Sequence, residues 1–298
     1  MLAESLSGFA VVEPAPAKIN LALAVVGRRE DGYHLLDSLV TFAAFGDRIG
    51  LSPAPEDRFT LSGRFSETLA AEGDNLVIRA RDRLRAALAR HGKAAPPVHI
   101  HLEKNLPIAS GIGGGSADAA ATLRGLEVLW RARLPDGERE ALALGLGADV
   151  PMCLAGRPLI ARGIGEDITP VALPALPMVL VNPLVGVSTP AVFKALASRH
   201  NPLLILNDAP ADWLDAIGGL RNDLEPPARA LCPEISMITE SLATTDARVV
   251  RMSGSGATCF ALYTSEAAAE AAAAMLAQRH PRWFVTATRT IGGSDGEA

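Results

Sequence analysis

Cysteine is nearly absent from this chain. Three residues, Cys153, Cys232 and Cys259, are scattered through 298 positions, odd in number and without a CxxC pair. That pattern suggests neither a disulfide framework nor a zinc site, and fits buried thiols in a reducing cytoplasm. Lysine is scarce too. Only Lys18, Lys93, Lys104 and Lys194 stand among 28 basic residues, so each is worth examining. No basic block occurs and the net charge is −5, which argues against a nucleic-acid surface. Residues 171–187 form the most apolar stretch, but Pro174, Pro177 and Pro183 interrupt it, so no membrane span is expected. The N-terminus lacks a basic region followed by an apolar one, and no secretory leader is expected. Composition leaves monomer and homodimer open.

Apolar residues are plentiful, at 49% of the chain, and the length suits one large or two ordinary domains. The stretch Leu106-Pro107-Ile108-Ala109-Ser110-Gly111-Ile112-Gly113-Gly114-Gly115-Ser116-Ala117 organises the reading. Before it, residues 98–103 alternate apolar and polar, as a half-buried strand does. After it, residues 116–134 carry Ala120, Leu123, Leu126 and Trp130 at helical spacing until Pro135-Asp136-Gly137 stops the run. Strand, glycine loop and helix start together bind anions. Glycine lets the backbone approach a ligand, and the open N–H groups of a helix start point at it. The P-loop pattern fails here because no lysine follows Gly115. The dinucleotide fingerprint fails because its third glycine falls on Ser116 or Asp118.

Other segments read more simply. Residues 1–15 suggest a lead-in strand. Residues 16–23 alternate Ile19, Leu21 and Leu23 with Lys18, Asn20 and Ala22, which predicts a strand with Lys18 and Asn20 side by side on the polar, solvated face. Asp31-Gly32 marks a turn, and residues 35–45 continue as the partner strand. Residues 75–91 predict an amphipathic helix with Arg79, Arg81, Arg83 and Arg85 on its solvated face. A short helix over 138–146 precedes Asp149, which the following Val150-Pro151 marks as a break and a capping position. Residues 157–168 suggest a strand pair, and a domain boundary falls near residue 165. Beyond it come a strand at 178–181, helices starting at Ser188-Thr189-Pro190 and at Asn222, and strands at 249–252 and 258–263. A helix over 265–278 and a strand over 283–290 follow. That order suggests an antiparallel sheet backed by helices. His99 and His101 share a strand face at metal-binding spacing, but no third ligand is evident and a structural role is expected.

Three separated motifs resemble a known superfamily. They are Pro16-Ala17-Lys18-Ile19-Asn20, the loop from Leu106 to Ala117, and Ser253-Gly254-Ser255-Gly256. The resemblance is to the galactokinase, homoserine kinase, mevalonate kinase and phosphomevalonate kinase (GHMP kinase) superfamily. It runs from about Pro16 to Thr290. Gly27-Arg28 with Asp31-Gly32-Tyr33-His34, Gly147-Ala148-Asp149-Val150-Pro151 and Asn222-Asp223-Leu224-Glu225 resemble one branch. That branch phosphorylates the 2-hydroxyl of a cytidine diphosphate-linked methylerythritol, in the non-mevalonate route to isoprenoid precursors.

The resemblance implies an α+β protein with the GHMP kinase fold. A ribosomal protein S5 domain 2-like α/β domain would span residues 1–165. A ferredoxin-like α+β domain would span 166–298. ATP would be the phosphoryl donor, with Mg²⁺ arriving as Mg-ATP and no protein residue assigned as metal ligand. Pro107, Ile108, Ala109, Ser110, Gly111, Ile112, Gly113, Gly114, Gly115, Ser116 and Ala117 would hold the phosphates through backbone N–H groups. Asp149 would accept the substrate's proton, and Lys18 would keep it ionised and favour the developing alkoxide. Asn20, Tyr33, His34 and Phe193 would face the substrate, with Tyr33 and Phe193 sandwiching the cytosine. Ala109-Ser110 departs from the glycine-richer loop that the family often keeps. Homoserine kinase, a regulatory nucleotide-binding protein without turnover, and a dinucleotide-dependent oxidoreductase are the competing readings. The small-molecule substrate excludes nucleic-acid and membrane partners from the expected set.

Overall fold

The computed structural model describes residues 6–70, 75–207 and 210–293. The first five residues of the expected lead-in strand lie outside this range. A 3-10 turn (Leu6–Gly8) leads into two long antiparallel strands, β1 (Val11–Arg28) and β2 (His34–Pro53), joined by the turn that Asp31-Gly32 predicts. The chain then forms two compact units. One comprises residues 1–17, 46–108 and 113–155, the other 18–45, 109–112 and 156–298. The unit boundary thus crosses β1 between Ala17 and Lys18, and β2 between Phe45 and Gly46.

In the first unit, β3 (Arg58–Ser62) runs parallel to β4 (Val98–Glu103), and β4 pairs antiparallel with Arg48–Pro53 of β2. Helices α1 (Ser66–Ala70), α2 (Leu76–Arg90), α3 (Gly114–Leu129), α4 (Asp136–Leu146) and α5 (Val150–Ala155) follow the strands. Asn75 caps α2, its Oδ1 accepting the Val77 N–H at 2.9 Å, and Val77, Ala80, Leu84, Ala87 and Leu88 form the buried face. The expected arginine face is more ordered than solvation requires: Arg85 makes a two-pronged bond to Asp57 at 2.6 and 2.8 Å. Helix α3 ends five residues before the predicted stop. Arg131 takes a left-handed φ of 49°, the Arg131 N–H reaches the Val128 carbonyl, and the Ala132 N–H reaches that of Glu127. This is a Schellman cap with arginine where glycine is usual, so it leaves no sequence signal. The paired histidines of β4 are structural: Thr60 Oγ1 bonds both rings, at 2.8 Å to His99 and 2.7 Å to His101, and Ser62 bonds His101 at 2.8 Å.

In the second unit, Leu36–Val40 of β2 pairs antiparallel with β5 (Leu159–Gly163), and β5 with β6 (Asp167–Pro170). A four-stranded antiparallel sheet follows in the order β10-β7-β9-β8, from β7 (Pro177–Asn182), β8 (Val249–Met252), β9 (Cys259–Leu262) and β10 (Phe284–Arg289). Helices α6 (Thr189–Lys194), α7 (Trp213–Gly218), α8 (Glu225–Leu231), α9 (Glu234–Ala243) and α10 (Glu266–Arg279) complete it. Val179 and Val181 of β7, Ile235, Ile238 and Leu242 of α9, and Leu276 of α10 share one core with Leu23 and Val25 of β1. The three cysteines form no disulfide and are buried, as expected. Burial and the neighbouring Glu234 push Cys232 up to about 11, and burial pushes Cys259 up as well. Among the described residues, no helix is long and apolar enough to cross a membrane.

Candidate active site

Strand β1 brings Lys18 and Asn20 to one side, two residues apart. The expected solvated face is a buried one: Lys18 is 5% exposed and Asn20 is 4%. Asn20 donates its backbone N–H to Ser253 Oγ at 3.0 Å and its Nδ2 to Ser38 Oγ at 2.8 Å. Ser38 passes its own proton to the Ala22 carbonyl at 2.6 Å. The amide is therefore fixed, and its Oδ1 is left buried without a partner. Buried polar atoms are almost always paired, so an unpartnered one marks this amide as unusual.

His34 begins β2. Its ring stacks on Phe193 of α6, with centroids 4.5 Å apart and planes at 22°. Ser188 caps that helix, and Thr189 Oγ1 bonds Ser255 Oγ at 2.8 Å. Burial, then the charges of Arg28 and Arg199, holds His34 below its usual pKa, so the ring is neutral at pH 7. Its Nε2 is the second buried atom here without a partner. The resemblance has Tyr33 and Phe193 sandwich the cytosine; here the Phe193 ring lies on His34, and Tyr33 is 57% exposed.

The glycine loop gains its shape from left-handed residues at alternate positions, Ala109 (φ 50°), Gly111 (φ 74°) and Gly113 (φ 64°). Alanine bears this conformation at a cost of about 1–2 kcal/mol. A Cβ on Gly111 would lie 2.4 Å from the Gly256 carbonyl oxygen, so no other residue fits there. Gly113 caps α3 and no side chain closes the helix's first turn, which leaves a helix start suited to an anion. Ser116 lies in that first turn, two residues later than the glycine that starts the helix.

Asp149 precedes α5. Its carbonyl accepts the Cys153 N–H at 3.1 Å, and the Val150 N–H reaches the Gly147 carbonyl at 3.0 Å. Asp149 thus stands at the expected break, between α4 and α5, and Pro151 sits in the first turn of α5, where a missing N–H costs nothing. Lys18 belongs to the second compact unit and Asp149 to the first.

Two models of GHMP kinase domains match, the N-terminal domain over residues 75–157 and the C-terminal over 205–282. The chain is 60% identical to the 4-diphosphocytidyl-2-C-methyl-D-erythritol kinase of Rhizobium meliloti (strain 1021), covering 99% of this chain and 100% of that one. It is 58% identical to the enzyme of the same name from Agrobacterium fabrum (strain C58 / ATCC 33970), covering 94% and 96%. A crystal structure of 4-(cytidine 5'-diphospho)-2C-methyl-D-erythritol kinase matches with a TM-score of 0.80 and 35% identity, over 95% of this chain and 100% of that one. The chain belongs to the GHMP kinase family. Homoserine kinase from Cytophaga hutchinsonii ATCC 33406 shares the fold, with a TM-score of 0.67 over 95% of each chain, but only 19% of the sequence. The protein is thus an ATP-dependent GHMP kinase of α+β class acting on a small molecule.

One part of this GHMP kinase escaped the sequence reading. Lys104, 3% exposed, donates to Asp47 Oδ2 at 2.6 Å and to Asp118 Oδ2 at 2.7 Å. Asp47 Oδ1 in turn accepts the N–H groups of Asn105 and Leu106, at 2.5 and 2.7 Å. The triad therefore ties the backbone that enters the loop to the second turn of α3. The rarity of lysine was the available signal, but neither carboxylate is near Lys104 in a motif. Burial pushes Asp118 up to about 8, against the pull of Lys104. Its usual value is 3.8, so the folded state holds a proton that the unfolded state releases. The contribution is fully present below about pH 4 and is lost as pH rises to 8. Asp118→Asn, which cannot titrate, should gain stability relative to wild type as urea unfolding is repeated from pH 5 to 9. Parallel stability curves would contradict this.

Proposed function

We propose that the protein transfers the γ-phosphoryl group of ATP to the 2-hydroxyl of 4-diphosphocytidyl-2-C-methyl-D-erythritol. Residues 107–117 hold the triphosphate by backbone N–H groups, and Ser116 adds a hydroxyl. Asp149 takes the hydroxyl proton as the substrate oxygen attacks the γ-phosphorus and ADP leaves with the electrons of the broken P–O bond. The Lys18 ammonium offsets the negative charge on the attacking oxygen. Mg²⁺ would enter as part of Mg-ATP, with no protein residue assigned to it. Nothing in the composition calls for a partner beyond the small molecules, and the lack of disulfides suits the cytoplasm.

The observation that carries the acceptor side is that two of the buried atoms left unpartnered among the described residues are Asn20 Oδ1 and His34 Nε2. Both belong to residues assigned to the substrate, and a cytidine ring with its exocyclic amine offers complementary groups. Phe193 supplies an aromatic face beside His34. Losing one such contact is worth about 1–3 kcal/mol. Asn20→Ala and His34→Ala should therefore raise the KM for the cytidyl substrate by roughly 5- to 100-fold and leave that for ATP within about twofold. Equal rises in both KM values would remove these residues from the acceptor site. The activity itself is tested by ADP release in a coupled assay with the cytidyl substrate and with homoserine. Turnover of homoserine alone would overturn the proposal.

A further inference from the structure

The motif Asn222-Asp223-Leu224-Glu225 has no place in the chemistry above, yet three of its side chains are hydrogen-bonded to neighbouring backbone. Asn222 is 5% exposed. Its Nδ2 donates to the carbonyls of Met252 and Gly254, at 2.8 and 2.9 Å, and its Oδ1 accepts the Leu224 N–H at 3.0 Å. Both amide protons are thus used on the tight loop Ser253-Gly254-Ser255-Gly256 and on Met252, the residue that leads into it. Two neighbours fix the motif itself. Glu225 Oε2 accepts the Met252 N–H at 3.0 Å, and Asp223 Oδ2 accepts the Val25 N–H of β1 at 2.8 Å. The backbone of residues 221–223 also exchanges hydrogen bonds with Leu23, at 2.9 and 2.8 Å.

The loop that Asn222 grips touches two parts of the site. Ser253 Oγ accepts the Asn20 N–H and donates to the Gly111 carbonyl at 3.4 Å. The Thr258 N–H donates to the Ser110 carbonyl at 3.2 Å. Gly254 has φ 56°, and a Cβ there would lie 2.7 Å from the Gly111 oxygen and 3.2 Å from Asn20 Oδ1. Backbone this close transmits a shift of a few tenths of an ångström without slack.

We infer that Asn222 is a positioning residue for phosphoryl transfer. Through Ser253–Gly256 it sets the register between Asn20, on the acceptor side, and Ser110-Gly111 of the phosphate loop, and it touches neither substrate. The inference rests on the reading of residues 107–117 as the phosphate loop. Small misplacements of reacting groups are costly, on the order of a hundredfold for 1 Å.

The test is steady-state kinetics of Asn222→Ala and Asn222→Asp on the cytidyl substrate and ATP, at a temperature where circular dichroism finds each variant folded. A structural defect that merely lowers the folded fraction scales kcat and leaves both KM values alone. Misplacement moves KM as well. Expected is a fall in kcat of about 10- to 100-fold with a rise of about three- to tenfold in the KM for ATP or for the acceptor. The aspartate keeps the side-chain volume but turns a second oxygen toward the two carbonyls, so it should lose at least as much as the alanine. Both KM values within twofold of wild type in either variant would overturn the inference. Failure of the wild type to turn over the cytidyl substrate would instead overturn the underlying functional reading.

Discussion

Asp149→Asn should lower kcat by roughly 10²- to 10⁴-fold while the dissociation constant for ATP stays within about threefold. The amide keeps the size and the position ahead of α5 but cannot take a proton at neutral pH. Its loss therefore falls on the chemical step and not on binding. Lys18→Met should act in the same range, because a developing alkoxide in a buried site gains most from a fixed positive charge. Lys18 is buried, so that gain is not diluted by water. If the two residues serve one proton transfer, their effects do not multiply. The double variant should then be about as slow as the slower single variant. Single-turnover quench-flow with radiolabelled ATP, alongside calorimetric titration of ATP, measures both quantities. Losses that multiply, or a weakening of ATP binding that matches the fall in rate, would assign these residues to separate or purely binding roles.

Lys104→Met should destabilise the protein by about 3–5 kcal/mol, as removal of one partner from a buried ion pair does. Two carboxylates, Asp47 and Asp118, would remain in a site with almost no solvent access. Asp47 would keep its bonds from Asn105 and Leu106, whereas Asp118, protonated below about pH 8, would be left buried without its Lys104 partner. Methionine is close to lysine in volume, which makes the lost charge and not a cavity the cause. The double variant Lys104→Met with Asp118→Leu should therefore recover part of the loss, since an apolar replacement of both partners removes a buried polar group left unpaired. Chemical denaturation of the three proteins decides the matter. A double variant less stable than Lys104→Met would mean that packing at Asp118, not charge, dominates.

Much of this molecule could be read from the chain because its signals are local. Period-two alternation located β1 and set Lys18 and Asn20 on one face, and Asn75 with leucines at steps of four marked α2. The four-stranded antiparallel sheet followed from the order of strands and helices in residues 177–289. What failed was whatever depends on distant partners. Alternation predicts one buried face, but Asn20 is buried by Ser38 and by Ser253, which is 233 residues away. The early end of α3 rests on an arginine in a conformation that sequence assigns to glycine. Lys104 was visible only as a rare residue type; its meaning comes from Asp47 and Asp118, 57 and 14 positions away.

The central claim is a choice of oxygen: the phosphoryl group goes to the 2-hydroxyl of the cytidyl substrate and nowhere else. Phosphorus NMR of the product formed from ATP and that substrate tests it most directly. One new phosphomonoester signal, coupled to the methyl-bearing C2 and formed in equal amount to ADP, is the expected result. ADP matched only by inorganic phosphate, or a phosphomonoester on another hydroxyl, would contradict it.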